Sequence, residues 1–359
     1  MTAVRGEPEH LDAEWMTEAL EEAGVARGAR VLDVELAGLI GTGQTGRNAR
    51  LHLVWDQPEG RPASVVGKFP SGDPAARANA FENGTYHNEW EFYSTLAHTL
   101  DIRTPRCHVA RFDHDAPEFV LIMEDLSGSR QGDQIQGLTV DEALLAVEQA
   151  VGLHAPRWGD PSLAEFAAHR PKGPEAAMML GTVYGMMAEP FLERLGHGLD
   201  PDVVQLVTDL IPHAVQWAHG PTATPRTVVH LDYRPDNFMF GTAPDAPPLA
   251  VVDWQTVTDG NAMMDLAYLF GGCFEPKYRA DVERDLLADY LGRLRATGVE
   301  YDADTMWHDY RLCSLWGVVM TVIATILAAE TERGNEMLTV MGQRHGRHAL
   351  DLEALELLR

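Results

Sequence analysis

Strand patterns and one glycine-rich turn follow one another in the first 125 residues, and their order limits the folds open to this chain. Apolar residues alternate or run continuously over 31–36, 49–55, 64–69 and 119–123. The sequence GLIGTGQTG, residues 38–46, separates the first two strands and predicts a turn. The third strand contains Lys68, and a helix pattern over 86–100 precedes the fourth. This order predicts a small β-rich unit with one helix and a lysine-bearing strand.

Helical patterns dominate the rest of the chain. They occupy residues 139–154, 174–195 and 201–219. A short strand-like region covers 228–241 and 249–252, and helices resume after it. We therefore expect an α+β chain of two lobes, a β-rich lobe of residues 1–125 and a larger, mostly helical lobe of residues 126–359.

Composition excludes several classes of protein. The formal net charge of -26 would repel phosphate backbones and anionic lipid, so we expect neither nucleic acid nor a membrane surface as a partner. The three cysteines are scattered without a CxxC, and the N-terminus lacks the apolar core of a signal peptide, which favours a cytoplasmic protein. Residues 312–329 carry no charge. Because hydroxyl residues interrupt this stretch and no basic cluster flanks it, a buried core helix is favoured over a membrane span.

The most informative segment reads VVHLDYRPDNFMFG, residues 228–241. Asp232 and Asn237 must lie on a loop, because Pro235 interrupts regular structure. A second apolar strand, LAVV, leads directly into Asp253. Phosphoryl transfer needs an aspartate that orients a hydroxyl, and an amide oxygen and a second carboxylate that hold Mg²⁺. These residues in this order therefore indicate phosphoryl-transfer chemistry.

HxDxxxxN followed by a strand that ends in aspartate resembles the catalytic core of aminoglycoside phosphotransferases and their ecdysteroid-kinase-like and choline-kinase relatives. The glycine turn, the NEWEFYSTL helix, the LIMEDL strand, the LHAPRW stretch and the GNAMMDLAYL helix follow in family order over about residues 11–330. DWQ and FY are most similar to the bacterial branch of the ecdysteroid-kinase-like group. The resemblance implies a protein-kinase-like, two-lobed fold with a five-stranded sheet in the smaller lobe. It also implies ATP as phosphate donor and Mg²⁺ as cofactor.

The resemblance implies roles for individual residues. Asp232 would be the catalytic base or orient the hydroxyl, and Asn237 and Asp253 would bind Mg²⁺. Lys68 would contact the α- and β-phosphates. Glu89 would pair with Lys68, although Glu91 is a rival that the helix face alone does not exclude.

The remaining implied roles concern the nucleotide and the catalytic loop. Backbone amides of the turn that contains Gly41, Gly43 and Gly46 would cap the phosphates. The backbone of Met123, Glu124 and Asp125 would meet the adenine, and His230 would brace the catalytic loop.

Four further positions stay open at this point. Many relatives have glycine where this chain has Leu231, so we expect the local packing to differ. Asp265 is favoured as a helix cap or as a structural carboxylate that pairs with the catalytic loop. Arg234 is equally compatible with an exposed side chain and with one that steadies a phosphate or the loop. A structural role is favoured for Gln255 over contact with substrate.

The residues leave the acceptor open. Seven methionines are expected around the helical-lobe cleft: Met178, Met179, Met186, Met187, Met239, Met263 and Met264. Core packing is the favoured interpretation, and the alternative is an acceptor with a sizeable apolar face. The expected function is a kinase of a small-molecule alcohol. The alternatives are an antibiotic-inactivating phosphotransferase of aminoglycoside or macrolide type and a nucleotide-binding pseudokinase regulator, which would have lost one of the key residues.

Overall fold

The computed structural model describes residues 4–41, 45–167, 169–220, 224–326 and 330–359. The chain forms two compact units, and each is assembled from separate stretches of sequence. The first unit comprises Met1–Thr99, Thr104–Ser129 and Val252–Thr256. The second comprises Leu100–Arg103, Arg130–Val251 and Val257–Arg359. The segment that carries Asp253 therefore folds with the first unit. The division into lobes at residues 125 and 126 stays a prediction.

The first unit contains a five-stranded antiparallel sheet with the order β1-β2-β3-β5-β4. Its strands are β1 (Val31–Ile40), β2 (Gly46–Trp55), β3 (Ser64–Pro70), β4 (Cys107–Phe112) and β5 (Phe119–Glu124). The strand patterns missed β4, because CHVARF places charged and polar residues among few apolar ones. They also ended β1 too early and began β2 too late. The predicted turn over 38–46 is therefore shorter, with only residues 41–45 between the two strands.

Three helices belong to the first unit: α1 (Ala13–Glu22), α2 (Pro74–Glu82) and α3 (Thr85–Glu91). The helix predicted over 86–100 is present as a continuous helical segment over 85–99, but its type changes, because α3 gives way to a π-helical turn at Phe92–Leu96 and a 3₁₀ turn at Ala97–Thr99. Helix α2 was not predicted. It begins at Pro74 after Asp73, whose carboxylate accepts hydrogen bonds from two backbone N–H groups of the first turn, a standard helix start.

The two faces of the sheet pack against different helices. Leu20 of α1 lies in one apolar core with Leu51 and Ile122 of the strands. On the other side Tyr86 of α3 stacks on Phe119 with ring centroids 4.5 Å apart. Successive side chains of a strand point to opposite faces, so the continuous apolar run of β5 serves both cores.

The second unit is mainly helical. Its helices are α4 (Val140–His154), α5 (Gly173–Leu195), α6 (Pro201–Leu210), α7 (Ala214–Ala218), α8 (Met263–Cys273), α9 (Pro276–Ala296), α10 (Ala303–Cys313), α11 (Leu315–Ala324) and α12 (Glu332–Asp351). Tyr184 of α5, Leu206 of α6, Trp316 of α11 and Leu338 of α12 meet in one buried core. The second unit thus has an apolar core of its own.

The uncharged stretch over 312–329 does not form one helix. Helix α10 ends at Cys313 and α11 begins at Leu315, with Ser314 between them. Residues 327–329 lie outside the described part of the chain. Within the described part, no helix has both the length and the apolarity that crossing a membrane requires.

Short strands frame the predicted catalytic loop. One sheet has the order β6-β8-β9, from Ser129–Gln131, Phe238–Gly241 and Leu249–Val251. The other pairs β7 (Thr227–Val229) with β10 (Thr258–Gly260), and β10 was not predicted. Residues 230–237 connect β7 to β8, so both ends of this loop are fixed by strand pairing.

Candidate active site

The predicted site residues fall into two groups. Lys68, Glu89 and Asp253 belong to the first unit, whereas Asp232 and Asn237 belong to the second with His230. Each group is held by contacts within its own unit.

Lys68 lies on β3 between two carboxylates. Its Nζ atom is 2.7 Å from Glu89 Oε2 and 2.9 Å from Asp253 Oδ1. Lys68 is 8% exposed and Glu89, on α3, is 2% exposed. The structure therefore pairs Lys68 with Glu89 rather than with its rival Glu91.

The charges of this group stabilise one another. Burial alone would lower the Lys68 pKa, but the carboxylates of Asp253 and Glu89 outweigh burial and raise the pKa above its usual value. Burial raises the pKa of Glu89, and the Lys68 ammonium opposes that rise. Lys68 is thus a permanent cation at neutral pH, held at a fixed position inside the first unit.

The segment around Asp253 is anchored to α3 and to the turn that follows it. Trp254 stacks face to face on Phe92, with ring centroids 4.0 Å apart and an interplanar angle of 5°. The Trp254 backbone N–H donates to Glu89 Oε1 at 3.3 Å. Asp253 has a φ of 67°, a left-handed conformation that non-glycine residues rarely adopt. These contacts fix the backbone that presents the Asp253 carboxylate.

Gln255 ties the same segment to the glycine turn. Its backbone carbonyl accepts from Asn88 Nδ2 at 3.0 Å, and its Oε1 atom accepts from Thr45 Oγ1 at 2.8 Å. The Thr45 carbonyl in turn accepts from the Tyr86 hydroxyl at 2.7 Å. Gln255 therefore has the structural role favoured by the sequence.

The predicted phosphate-capping glycines are only partly described. Gly41 has a φ of 74°, which favours glycine. A Cβ on Gly46 would lie 3.0 Å from the carbonyl oxygen of Phe69, so β2 and β3 approach closely there. Gly43 lies outside the described residues. Phosphate contact by these glycines stays a prediction.

Met123, Glu124 and Asp125 lie at the end of β5. The Asp125 carboxylate accepts two hydrogen bonds from Arg50, at 2.9 and 3.2 Å, and one from Ser64 Oγ at 2.7 Å. This side chain therefore ties β2 and β3 to the end of β5. The predicted contact of the backbone with adenine stays a prediction.

In the second unit, both oxygens of the Asp232 carboxylate are held. Arg234 Nε donates to Oδ1 at 2.9 Å, and Asn237 Nδ2 donates to Oδ2 at 2.8 Å. Asn237 Nδ2 also lies 2.8 Å from the Asp232 carbonyl oxygen. Bonding through the amide nitrogen sets the amide orientation, and amide oxygens are Mg²⁺ ligands in proteins. The loop thus presents a fixed carboxylate beside an oriented amide.

A buried carboxylate on α8 anchors the start of this loop. Asp265 accepts from the backbone N–H groups of His230 and Leu231, each at 2.8 Å. The His154 Nε2 atom is 3.2 Å from Asp265, and its Nδ1 atom is 2.9 Å from the Tyr290 hydroxyl. Asp265 is therefore the structural carboxylate that the sequence favoured, whereas the supporting pair His154 and Tyr290 was missed. The LHAPRW motif includes His154, but the sequence did not indicate which residues His154 contacts.

Leu231 departs from the family glycine and keeps a backbone conformation that glycine favours. Its φ is 65°, and its side chain packs against the core of the second unit. The Leu231 side chain thus has a packing role that a glycine at this position could not have.

The methionine prediction needs correction. Met178, Met179 and Met186 lie on the solvent-facing side of α5, with exposures of 59%, 55% and 69%. Met263 is fully buried, and Met187 and Met264 pack partly buried against the core. Core packing therefore does not account for the three exposed side chains. The 3.6-residue helical period could not predict which methionines face solvent, because methionine occurs on both the buried and the exposed face of α5.

Comparisons with known proteins give the family. The model of the phosphotransferase enzyme family matches residues 78–297, a range that includes Glu89, Asp232, Asn237 and Asp253. No curated protein matches the chain.

Solved structures share the fold at low sequence identity. Aminoglycoside 2'-phosphotransferase-IIIa in its GDP complex has a TM-score of 0.54 and 15% identity, covering 91% of this chain and 98% of that chain. Choline kinase from Cryptosporidium parvum Iowa II has a TM-score of 0.51 and 13% identity, covering 90% of each. A Ralstonia eutropha JMP134 protein, provisionally described as an aminoglycoside phosphotransferase, has a TM-score of 0.51 and 19% identity, covering 93% of this chain and 98% of that chain. Since the family model spans more than half of the sequence, this chain belongs to the phosphotransferase enzyme family, and it shares the protein-kinase-like fold of these solved structures.

Proposed function

We propose that the chain transfers the γ-phosphate of ATP to a hydroxyl group of a small molecule. The observation that carries the proposal is the Lys68 ammonium held between Glu89 and Asp253. A buried charge is costly unless it is paired, and a lysine fixed in this way suits contact with the α- and β-phosphates of a nucleotide. Membership of the phosphotransferase family supports the same function.

The other roles follow from the chemistry of each side chain. Asp232, with its carboxylate fixed on both sides, would orient the acceptor hydroxyl and accept its proton. Asn237 and Asp253 offer hard oxygen ligands of the kind that Mg²⁺ prefers, so they would hold the metal. Bound Mg²⁺ would supply charge neutralisation at the phosphate oxygens. Retention of all these residues favours an active enzyme over a pseudokinase.

The acceptor class is suggested by the exposed methionines of α5. Met178, Met179 and Met186 present flexible, apolar surface in the unit that carries Asp232. Methionine adapts its shape to varied apolar ligands, and a run of exposed apolar side chains commonly marks a binding surface. We therefore favour an alcohol with a sizeable apolar face.

The first experiment incubates the purified protein with Mg²⁺ and ATP, or GTP, and a diverse library of small-molecule alcohols. Mass spectrometry detects a phosphate gain. We expect the wild type to modify one class of alcohol and Asp232→Asn to modify none. Asp245→Asn, at an exposed position between β8 and β9, is the matched control and should behave as wild type. Absence of nucleotide binding by the wild type would contradict the proposal.

A second experiment tests the apolar acceptor. Met186→Gln keeps a similar length and makes the side chain polar, whereas Met186→Leu keeps it apolar. We expect Met186→Gln to raise KM for the acceptor and Met186→Leu to leave it close to wild type, with KM for ATP unchanged in both. Phosphate gain on an aminoglycoside or macrolide in the library would instead favour the antibiotic-inactivating alternative.

A further inference from the structure

We propose that Arg234 is a positioning residue for Asp232, and that it forms the first link of a brace that reaches helix α12. This inference rests on the proposed function, because it takes Asp232 as the group that orients the acceptor hydroxyl. Arg234 Nε donates to Asp232 Oδ1 at 2.9 Å, and its Nη1 atom donates to Asp236 Oδ2 at 2.7 Å. One guanidinium thus bridges two carboxylates of the same loop.

The bridge fixes the rotation of the catalytic carboxylate. Arg234 holds one Asp232 oxygen and Asn237 holds the other, so the plane of the carboxylate is set from both sides. A planar guanidinium presents donors in a rigid fork, which an ammonium group does not reproduce. Burial alone would lower the Arg234 pKa, but the charge of Asp232, and then those of ionised Tyr268 and of Asp236, raise it. The cation is therefore permanent under all assay conditions.

Asp236 connects the bridge to a neighbouring segment of the second unit. Its Oδ1 atom accepts from the Gln134 backbone N–H at 2.8 Å, and its carbonyl oxygen accepts from Gln131 Nε2 at 2.6 Å. A Cβ on Gly132 would lie 2.3 Å from the carbonyl oxygen of Pro235. The backbones of the segment that contains Gly132 and of the catalytic loop are therefore in direct contact, so a shift of one would displace the other.

Arg344 on α12 holds the far end of the brace. It is 6% exposed, and its Nη1 atom donates to the carbonyl oxygens of Gln134 at 3.1 Å and Gly272 at 3.2 Å. Its Nη2 atom donates to the carbonyl oxygen of Ile135 at 3.0 Å. Helix α12 lies beyond residues 78–297, which the family model matches. The catalytic loop is thus supported by a part of the chain that the family match does not include.

Turnover with ATP and the acceptor found in the library screen tests the inference. We expect Arg234→Met to lower kcat about tenfold to a hundredfold, because small misplacement of a reacting group has effects of that size, with KM for ATP nearly unchanged. Arg234→Lys should recover part of this loss. Arg344→Met should lower kcat by a smaller factor. Arg347→Met, at a half-buried arginine that pairs with Asp200 and Asp202, is the matched control and should keep wild-type kcat.

Rescue separates positioning from damage to the fold. Millimolar guanidinium added to Arg234→Ala should raise its kcat several-fold and leave Arg347→Met unchanged. Wild-type kcat in Arg234→Met would overturn the inference. So would a loss that matches the fraction of unfolded protein, measured by circular dichroism, and that guanidinium does not restore. If the wild type neither binds nucleotide nor transfers phosphate, the proposed function itself fails, and this result is distinct from either of the others.

Discussion

The indole of Trp316 donates a hydrogen bond of 2.9 Å to the backbone carbonyl of Leu231. The Leu231 N–H donates to Asp265 on its other side, at 2.8 Å. A left-handed conformation costs a non-glycine residue about 1–2 kcal/mol. The two hydrogen bonds and the packing of the Leu231 side chain offset this cost. The start of the catalytic loop is therefore held in a strained shape by residues from α8 and α11.

The strain at Leu231 can be measured with two truncations. Leu231→Ala and Leu231→Gly both remove the packed side chain, but only glycine adopts the left-handed conformation without strain. We expect Leu231→Gly to be more stable than Leu231→Ala by about 1 kcal/mol. Urea denaturation of the two variants measures the difference. Equal stabilities would mean that the loop does not hold this conformation in solution.

Asp265 offers a second test of the same loop. In Asp265→Asn one carboxylate oxygen becomes an NH₂ donor that faces a backbone N–H, so a buried hydrogen bond is lost. We expect the free energy of unfolding to fall by about 1–3 kcal/mol and kcat to fall with it. Denaturation and turnover measured on the same preparation check both. Wild-type values for both would show that the two N–H groups do not depend on the carboxylate.

Local pattern predicted much of the fold. Alternation of apolar residues predicted β1, β2 and β3. In β2 the alternate residues are buried as expected, whereas β1 buries only Val31 and leaves Leu32, Leu36 and Leu39 exposed. Pro235 predicted a loop for Asp232 and Asn237 because proline disrupts the interior of a helix or a sheet, and the structure places only a short 3₁₀ turn, Pro235–Asn237, before β8. The resemblance then indicated the pairing of Lys68 with Glu89, residues on separate elements that no local pattern connects.

The local sequence pattern could not predict the parts of the site that depend on contacts between residues far apart in the chain. The carbonyl of Leu231 is bonded by Trp316, 85 positions away, and Asp265 is 35 positions from His230. The periodicity of apolar residues along the sequence does not predict such long-range hydrogen bonds. The exposed methionines illustrate a related limit. The 3.6-residue period of the α5 sequence predicts that the helix has an apolar face, but it does not predict which neighbouring element covers that face.

The hydrogen bond between Thr45 and Gln255 predicts coupling between the glycine turn and the Asp253 segment. Thr45→Val keeps the shape and removes the hydroxyl, whereas Thr45→Ser keeps the hydroxyl. We expect Thr45→Val to raise KM for ATP severalfold, because a single lost hydrogen bond is worth about 0.5–1.5 kcal/mol. Thr45→Ser should remain close to wild type. Nucleotide titration by calorimetry and steady-state kinetics measure the effect, and equal affinities for the two variants would contradict it.

Two buried histidines predict loss of stability in acid. His345 and His348 of α12 are 1% and 0% exposed. Burial lowers the pKa of both. For His345, repulsion from the protonated form of His348, and then from the cations Arg344 and Arg279, lowers the pKa further. For His348 the carboxylate of Glu283 opposes it. Both histidines are therefore neutral in the folded protein at a pH where the unfolded chain is protonated.

The sign of the pH dependence follows from this difference. Below the unfolded pKa of about 6.5 the unfolded chain binds more protons than the folded protein. The free energy of unfolding therefore falls as pH falls, by up to about 1.4 kcal/mol per pH unit for each histidine. Phenylalanine at position 345 cannot bind a proton and keeps an aromatic ring where His345 stacks on Tyr268, with ring centroids 5.0 Å apart.

We therefore expect His345→Phe to lose less stability than wild type between pH 6.5 and pH 5.5, by up to about 1 kcal/mol. Urea denaturation at both pH values measures the loss. His308→Phe, at a side chain that is 57% exposed, carries the same substitution at the surface and should keep the wild-type pH dependence. If His345→Phe and wild type lose the same stability, the ring of His345 binds its proton equally well in the folded and unfolded chain, and the buried cluster on α12 does not cause the acid sensitivity.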